Sequence, residues 1–276
     1  MKISLLIPIV FIAYSASAQI NSGTLIVFQI TKDKLVIAAD SRSMTNGVPD
    51  DTSCKIMAFN DKIVFFTDGS AGYRPINPFD IAFDNRTEAA NAIRSQVQRS
   101  SLEDIANAWA QNVIQRWQSL YALHPEVVVD ASKIKKGELA DGVFAEAVNG
   151  KIIIAARTIV FKPEDLIPIV AYPLSGDCTT GPCAVGITDV FSEYMAKPPT
   201  SRRAISENIT KPGIDEIARA KRLIELSKLH SVQKDSIGGD IDVLELSNSG
   251  RIQWDARKDN CQKNQDVGWG KPAPGH

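Results

Sequence analysis

Two apolar segments separated by a short polar turn follow residue 24 in the sequence. Residues 25–30 and 35–39 are apolar and rich in β-branched side chains, and residues 31–34 between them are polar. This pattern predicts a β-hairpin. Because hairpin strands run antiparallel, the residue that precedes the first strand meets the residues that follow the second. We therefore expect Thr24 and Asp40 to lie within side-chain reach of each other.

A second hairpin is predicted directly afterwards. Residues 55–59 and 62–67 are largely apolar, and Asn60 and Asp61 between them are typical turn residues. Lys55 stands at the start of the first of these strands. The two hairpins together predict that a hydroxyl, a carboxylate and an ammonium group gather at one end of one sheet.

Helices and strands follow one another through the rest of the chain. The clearest helix covers residues 100–124, because its apolar residues recur at intervals of three and four, and Ser100 and Glu103 have the spacing of a capping box. The strongest hairpin covers residues 142–160 around Asn149-Gly150, a preferred two-residue turn. The other predicted elements are helices at 87–97, 190–196 and 212–229, strands at 127–129 and 167–172, a solvated loop at 133–136, and a last hairpin at 241–254.

Several of the predicted strands are apolar on both faces, and residues 25–28 are the clearest example. Such a strand needs one packed layer above it and another below it. The pattern therefore predicts a layered α+β domain whose strands are buried on both faces.

The composition is ordinary for a globular protein and does not indicate a nucleic-acid partner. The 276 residues include 31 basic and 32 acidic ones, for a net charge of −1. This balance favours neither nucleic acid nor an anionic membrane surface as a partner. The chain has no Cys-x-x-Cys motif, and its three histidines lack ligand spacing, so we expect no metal and no cofactor.

The N-terminus has the features of a secretory signal peptide. Lys2 supplies a positive charge, residues 3–13 are apolar but short for a membrane span, and Ala16-Ser17-Ala18 is a small-x-small cleavage site. An uncleaved membrane anchor is the alternative. We predict a signal peptide at 1–18, a short propeptide at 19–23, a main domain at 24–257 and a flexible tail at 258–276. The protein is expected to be exported to the periplasm or the extracellular space.

Four cysteines in an exported chain are compatible with two disulfides. Cys178 and Cys183 flank a short Thr-Thr-Gly-Pro loop and could close on each other, which would leave Cys54 and Cys261 to pair. The sequence alone allows three connectivities.

The segments around the candidate residues resemble the proteasome β-subunit family of N-terminal nucleophile (Ntn) hydrolases. In that family a Gly-Thr cut exposes a threonine, an acidic residue follows sixteen positions later, and a lysine lies on the third strand. Thr24 and Asp40 have that spacing, and Lys55 falls one residue before the ungapped lysine position. The matching segments are residues 23–27, 36–42, 54–56, 60–64, 69–72 and 238–244.

The resemblance implies a four-layer αββα sandwich and a threonine-type peptidase or amidohydrolase that cuts itself between Gly23 and Thr24. The implied site residues are Thr24, Asp40, Lys55, Asp235 and Ser236, with backbone groups near Gly69 and Ser70 as candidates for the oxyanion hole. The implied partner is a peptide or small amide substrate, with a homo-oligomer as an option, no nucleic acid, and no membrane beyond the signal peptide.

Two other interpretations remain at this point. The chain could be a catalytically inactive relative that serves in binding or structure. It could also be a Ser-His-Asp esterase, which is less favoured because the sequence contains no Gly-x-Ser-x-Gly elbow.

Overall fold

The structure of the protein is a computed structural model, and it describes residues 19–45, 48–69, 72–74, 82–95, 101–165, 167–173, 178, 181–196, 209, 214–259 and 261. The predicted signal peptide lies outside the described residues. Within them the chain forms three five-stranded sheets and five α-helices.

The first sheet contains the first predicted hairpin. Its strands, in spatial order, are β13 (Cys183–Gly186), β2 (Leu25–Ile30), β3 (Lys34–Asp40), β14 (Ile241–Ser247) and β15 (Ile252–Ala256). In the antiparallel pairing of β2 with β3, Ile26 lies opposite Ala39 and Phe28 opposite Ile37. The predicted hairpins at 25–39 and 241–254 are confirmed.

The second sheet contains the other two predicted hairpins. Its strands, in spatial order, are β12 (Ile169–Pro173), β11 (Lys151–Phe161), β10 (Glu138–Val148), β7 (Ile63–Gly69) and β6 (Ile56–Phe59). Asn60 and Asp61 have φ angles of 51° and 52°, and Asn149 and Gly150 have φ angles of 51° and 74°. A positive φ at both central residues matches the right-handed twist of the flanking strands, which explains why these turns could be read from the sequence.

A third sheet corrects the predicted fold class. Its strands, in spatial order, are β5 (Val48–Asp50), β4 (Ser43–Thr45), β1 (Gln19–Ser22), β8 (Gly72–Arg74) and β9 (Phe83–Asp84). The predicted four-layer αββα sandwich is therefore wrong. The fold is mixed α/β with antiparallel sheets, and a four-layer αββα sandwich does not contain a third sheet. Strands of two to four residues are too short to show an alternating pattern, so the sequence did not reveal them.

Helices cover the first and the second sheet. The helices are α1 (Asn85–Ser95), α2 (Leu102–Leu123), α3 (Pro125–Ile134), α4 (Asp189–Ala196) and α5 (Glu216–His230). Trp109 and Trp117 of α2 are fully buried with residues of α1, α3 and the second sheet. Leu223 and Ile224 of α5 pack with Leu25 and Val27 of β2. A separate apolar cluster, which includes Phe28 and Phe66, joins the first sheet to the second.

Local predictions differ from the structure at the helix ends. The capping box of α2 uses Ser101 and Asp104 rather than Ser100 and Glu103. Both pairs have the same spacing, so the sequence could not distinguish them. Residues 127–129 are helical in α3 and not a strand. Proline in the first turn of α3 and the burial of Val127 and Val128 against α2 outweigh the β-propensity of the valine run.

Two disulfides join the four cysteines. Cys54 is bonded to Cys261, and Cys178 is bonded to Cys183. Of the three connectivities that the sequence allows, the structure has the one that the short loop suggested. None of the helices in the described part of the chain combines the length and apolarity needed to cross a membrane.

The cap of α2 gives a direct test of the helix start. Ser101→Ala removes the side-chain acceptor of the Asp104 N–H, so we expect the free energy of unfolding to fall by about 1 kcal/mol in urea denaturation. Ser119→Ala, at an exposed position of the same helix, is the control and should cause no loss, because alanine is the better helix former. Equal losses in the two variants would contradict the assignment of the cap.

Candidate functional site

The register of the first hairpin sets Thr24 beside Asp40. Thr24 directly precedes β2, and Asp40 is the last residue of β3. The N–H of Leu25 donates to the Asp40 carboxylate at 2.8 Å. Thr24 is 4% exposed and Asp40 is fully buried, so the two residues share a site that water scarcely reaches.

Hydrogen bonds to both oxygens fix the Asp40 carboxylate. Its Oδ1 accepts from Leu25 N and from Lys55 Nζ, each at 2.8 Å. Its Oδ2 accepts from Gly238 N at 2.9 Å and from Arg42 N at 3.2 Å. A buried carboxylate with this many donors has a defined orientation and compensates an adjacent positive charge.

The ammonium group of Lys55 is buried at the centre of the site. Besides Asp40, Nζ donates to the carbonyl oxygen of Arg42 and, at 3.3 Å, to the carbonyl oxygen of Gly23. Burial lowers the pKa of Lys55 below its usual value, and the Asp40 carboxylate acts in the opposite direction. The third contact directs the positive charge at the peptide bond that joins Gly23 to Thr24.

Gly23 occupies a position that only glycine fits. Its φ is +92°, and a Cβ there would lie 2.7 Å from the carbonyl oxygen of Ser236. The Thr24 hydroxyl donates to the Gly23 carbonyl oxygen. A hydroxyl and an ammonium group therefore contact the same backbone carbonyl, which brings a potential nucleophile and a positive charge to one peptide bond.

The other predicted site residues, Asp235, Ser236, Gly69 and Ser70, do not all lie next to Thr24. Ser236 ends a short 3-10 turn, Lys234–Ser236, and lies against Gly23. The Asp235 side chain is exposed, and the Asp235 carbonyl oxygen accepts from Arg42 at 3.3 Å. Gly69 ends β7, paired with Ala140, while Ser70 lies outside the described residues. Thr24, Asp40 and Lys55 thus come together, Ser236 lies beside Gly23, and the catalytic roles of all the predicted site residues remain predictions.

A second charged cluster, Asp68, Asp141 and Lys135, was not predicted. Asp68 of β7 pairs with Asp141 of β10, and Lys135 Nζ donates to both carboxylates at 2.8 Å. Residues 133 and 134 belong to α3, and the side chain of Lys135 is only 12% exposed, so the predicted solvated loop at 133–136 is wrong for these three residues. One visible signal was an aspartate followed by glycine in an apolar strand, at residues 68–69 and 141–142.

The two carboxylates of this cluster share one lysine and differ in pKa. Burial, together with the neighbouring Asp141, raises the pKa of Asp68 to about 8. Burial acts to raise the pKa of Asp141 too, but the charge of Lys135 and the hydrogen bonds with Asp68, Lys135 and Thr158 together lower that pKa. Two close carboxylates do not both ionise readily, so the cluster retains a proton on Asp68 near neutral pH.

Gly186 connects this cluster to Thr24. Its φ is +99°, and a Cβ there would lie 2.1 Å from the Thr24 carbonyl oxygen and 3.0 Å from Asp68 Oδ2. The next residue, Ile187, donates its N–H to the Thr24 carbonyl oxygen at 2.7 Å. Asp68 therefore borders the backbone that holds Thr24 in place.

No protein-family model matches this chain, and no curated protein sequence shows significant similarity to it. The arguments for function therefore come from the site itself.

The proton on Asp68 predicts a pH-dependent stability. The folded protein holds this proton between about pH 5 and 8, whereas the unfolded chain, with an Asp pKa near 3.9, has released it. Stability that Asp68 contributes at low pH is therefore lost as pH rises towards 8. Relative to Asp68→Asn, the unfolding free energy of the wild type should fall by up to about 1.4 kcal/mol per pH unit in this window.

The measurement is urea denaturation of both proteins at about pH 5, 6.5 and 8. Asp130→Asn is the control, because Asp130 forms an exposed pair with Lys133 and its difference from wild type should stay flat. A wild-type-minus-Asp68→Asn difference that does not change with pH would show that Asp68 holds no proton there.

Proposed function

We propose that this protein is an exported threonine hydrolase that first cuts its own chain between Gly23 and Thr24. Thr24 then becomes an N-terminal nucleophile that cleaves peptide or small amide bonds. One observation carries the proposal: the Thr24 hydroxyl and the Lys55 ammonium both contact the carbonyl of the peptide bond that joins residues 23 and 24.

The self-cleavage step follows from these contacts. The Thr24 Oγ1 atom attacks the Gly23 carbonyl carbon, and Lys55 Nζ stabilises the negative charge that develops on the carbonyl oxygen. The C–N bond breaks, and the Thr24 nitrogen takes up the proton that the hydroxyl loses. This leaves Gly23 as an ester on Oγ1, and water hydrolyses the ester to a carboxylate and a free hydroxyl.

The cut creates the base that later turnover needs. The new α-amino group of Thr24 has an ordinary pKa of about 7.7–8.0, and the adjacent Lys55 cation favours its neutral form. The neutral amine accepts the hydroxyl proton while Oγ1 attacks a substrate carbonyl, and it returns the proton to the leaving amine. Asp40 keeps Lys55 charged and in place through the 2.8 Å contact.

The segment before Thr24 supports a peptide substrate. β1 lies between β4 and β8 and pairs antiparallel with both, so that Asn21 is opposite Thr45 on one side and Gly72 on the other. When residues 19–23 leave after the cut, the two flanking strands present backbone groups to an extended chain that leads to Thr24. An extended peptide fits such a position by strand addition.

Export is the expected setting for this activity. The signal-peptide pattern of the sequence supports it, and the two disulfides are compatible with an oxidising compartment. A homo-oligomer is not needed for the site, because the described residues of one chain supply the hydroxyl, the carboxylate and the ammonium group.

Substitution of the nucleophile separates an enzyme from an inactive scaffold. Thr24→Ala removes the attacking hydroxyl, so we expect no chain that starts at residue 24 and no turnover of peptide amides. Thr24→Ser keeps a hydroxyl and should process, more slowly or at a similar rate. Intact mass spectrometry measures the processing, and a Thr24→Ala protein that is cut at the same position would sink the proposal.

Removal of the ammonium group tests the role of Lys55. Lys55→Met keeps an unbranched side chain, one atom shorter, but loses the charge, so we expect self-cleavage to slow by at least about 100-fold. Since Asp40 would then be buried without its partner, the Asp40→Asn/Lys55→Met double variant should be measured too. Lys221→Met, which breaks only the exposed pair with Asp255, is the control and should process normally. Wild-type processing by a folded double variant would refute the role of Lys55.

A further inference from the structure

Lys55 owes its position to a connecting segment rather than to a strand. It directly follows Cys54, and β6 begins one residue later, at Ile56. Among the contacts of its backbone, the Ser53 N–H donates to the Ser41 carbonyl at 3.1 Å, Arg86 Nη1 donates to the Cys54 carbonyl at 3.2 Å, and the Thr67 N–H donates to the Lys55 carbonyl at 3.4 Å. Lys55 Nζ reaches its three acceptors, at Asp40, Arg42 and Gly23, only while this segment keeps its position, so any further support of the segment bears on Lys55.

The C-terminal segment supplies that support. Cys261 is bonded to Cys54, and both residues are buried, with exposures of 1% and 5%. Lys258 Nζ donates to the Ser53 carbonyl at 2.6 Å, and Lys258 N donates to the Asp242 carboxylate at 3.0 Å. The end of the described chain thus ties the residues before Lys55 to β14.

We propose that the Cys54–Cys261 disulfide positions Lys55, so that self-cleavage waits until this disulfide has formed. This inference depends on the proposed function, because Lys55 is assigned there to the Gly23 carbonyl. The disulfide joins residues 207 positions apart, so it fixes the C-terminal segment against the segment that carries Lys55. A displacement of about 1 Å at a catalytic group can cost about 100-fold in rate.

Formation of the disulfide needs an oxidant. The two thiols lose two protons and two electrons to a disulfide-type oxidant, such as oxidised glutathione or a disulfide-exchange protein, which is reduced to two thiols. The reducing cytosol keeps the cysteines as thiols. The chain would therefore remain an uncut precursor until it is exported.

The second disulfide provides a matched control. Cys178 and Cys183 are only five residues apart, and the Cys178 carbonyl accepts from Ile30 N at 3.0 Å. Ile30 is the last residue of β2, at the opposite end of the strand from Thr24. Loss of this disulfide alters the protein away from the candidate site.

The experiment follows self-cleavage of purified precursor by intact mass spectrometry. The proteins are wild type, Cys54→Ala/Cys261→Ala and Cys178→Ala/Cys183→Ala, each with and without dithiothreitol and each checked for native circular dichroism at the assay temperature. We expect dithiothreitol to slow the wild type and Cys178→Ala/Cys183→Ala by at least about tenfold, with recovery on addition of oxidised glutathione. Cys54→Ala/Cys261→Ala should be slow in either state.

The outcomes are distinguishable. If Cys54→Ala/Cys261→Ala is folded and cuts itself at the wild-type rate, the disulfide does not position Lys55 although the proposed function stands. If oxidised wild type does not cut itself at all, the proposed function and this inference both fail. Should Cys54→Ala/Cys261→Ala not fold, Cys178→Ala/Cys183→Ala decides the matter, because it keeps only the disulfide in question. Equal rates in its reduced and oxidised native forms would then overturn the inference.

Discussion

The buried ion pair of Lys55 and Asp40 is the interaction on which the rest of the site depends. Taking two charges out of water costs several kcal/mol for each ion, and the attraction between them repays this cost only when other hydrogen bonds satisfy both groups. Here Asp40 accepts, besides the Lys55 bond, from the backbone N–H groups of Leu25, Arg42 and Gly238. Lys55 Nζ also donates a hydrogen bond to the Gly23 carbonyl. Lys55 Nζ thus donates to two peptide carbonyls, those of Arg42 and Gly23, and the Thr24 hydroxyl contacts the second of them.

The three sheets meet at this ion pair. The first sheet contributes Thr24 and Asp40, the second is preceded by Lys55 and contains Asp68, and the third holds the segment that ends at Gly23. Each contribution comes from the end of a strand, where the backbone leaves the sheet and a side chain can turn towards a neighbouring element. The site is therefore a product of long-range packing, and the Cys54–Cys261 disulfide adds the last segment of the described chain to it.

The elements that the sequence predicted well are those with local signals. Asn60-Asp61 and Asn149-Gly150 adopt the positive φ angles that their residue types favour, so both hairpins were visible. The spacing of Thr24 and Asp40 was visible for the same reason, because a hairpin register is set by its turn. What the sequence could not show depends on partners that are distant in the chain. The third sheet is made of very short strands, and Lys135 is buried only because Asp68 and Asp141 meet across two strands.

The most direct test of this account is the first residue of the wild-type protein after export, determined by N-terminal sequencing and intact mass. We expect Thr24, since the hydroxyl and the cation both contact the Gly23 carbonyl in the uncut chain. A stable exported protein that still begins at Gln19 and whose peptide bond at residue 23 persists under oxidising conditions would contradict it.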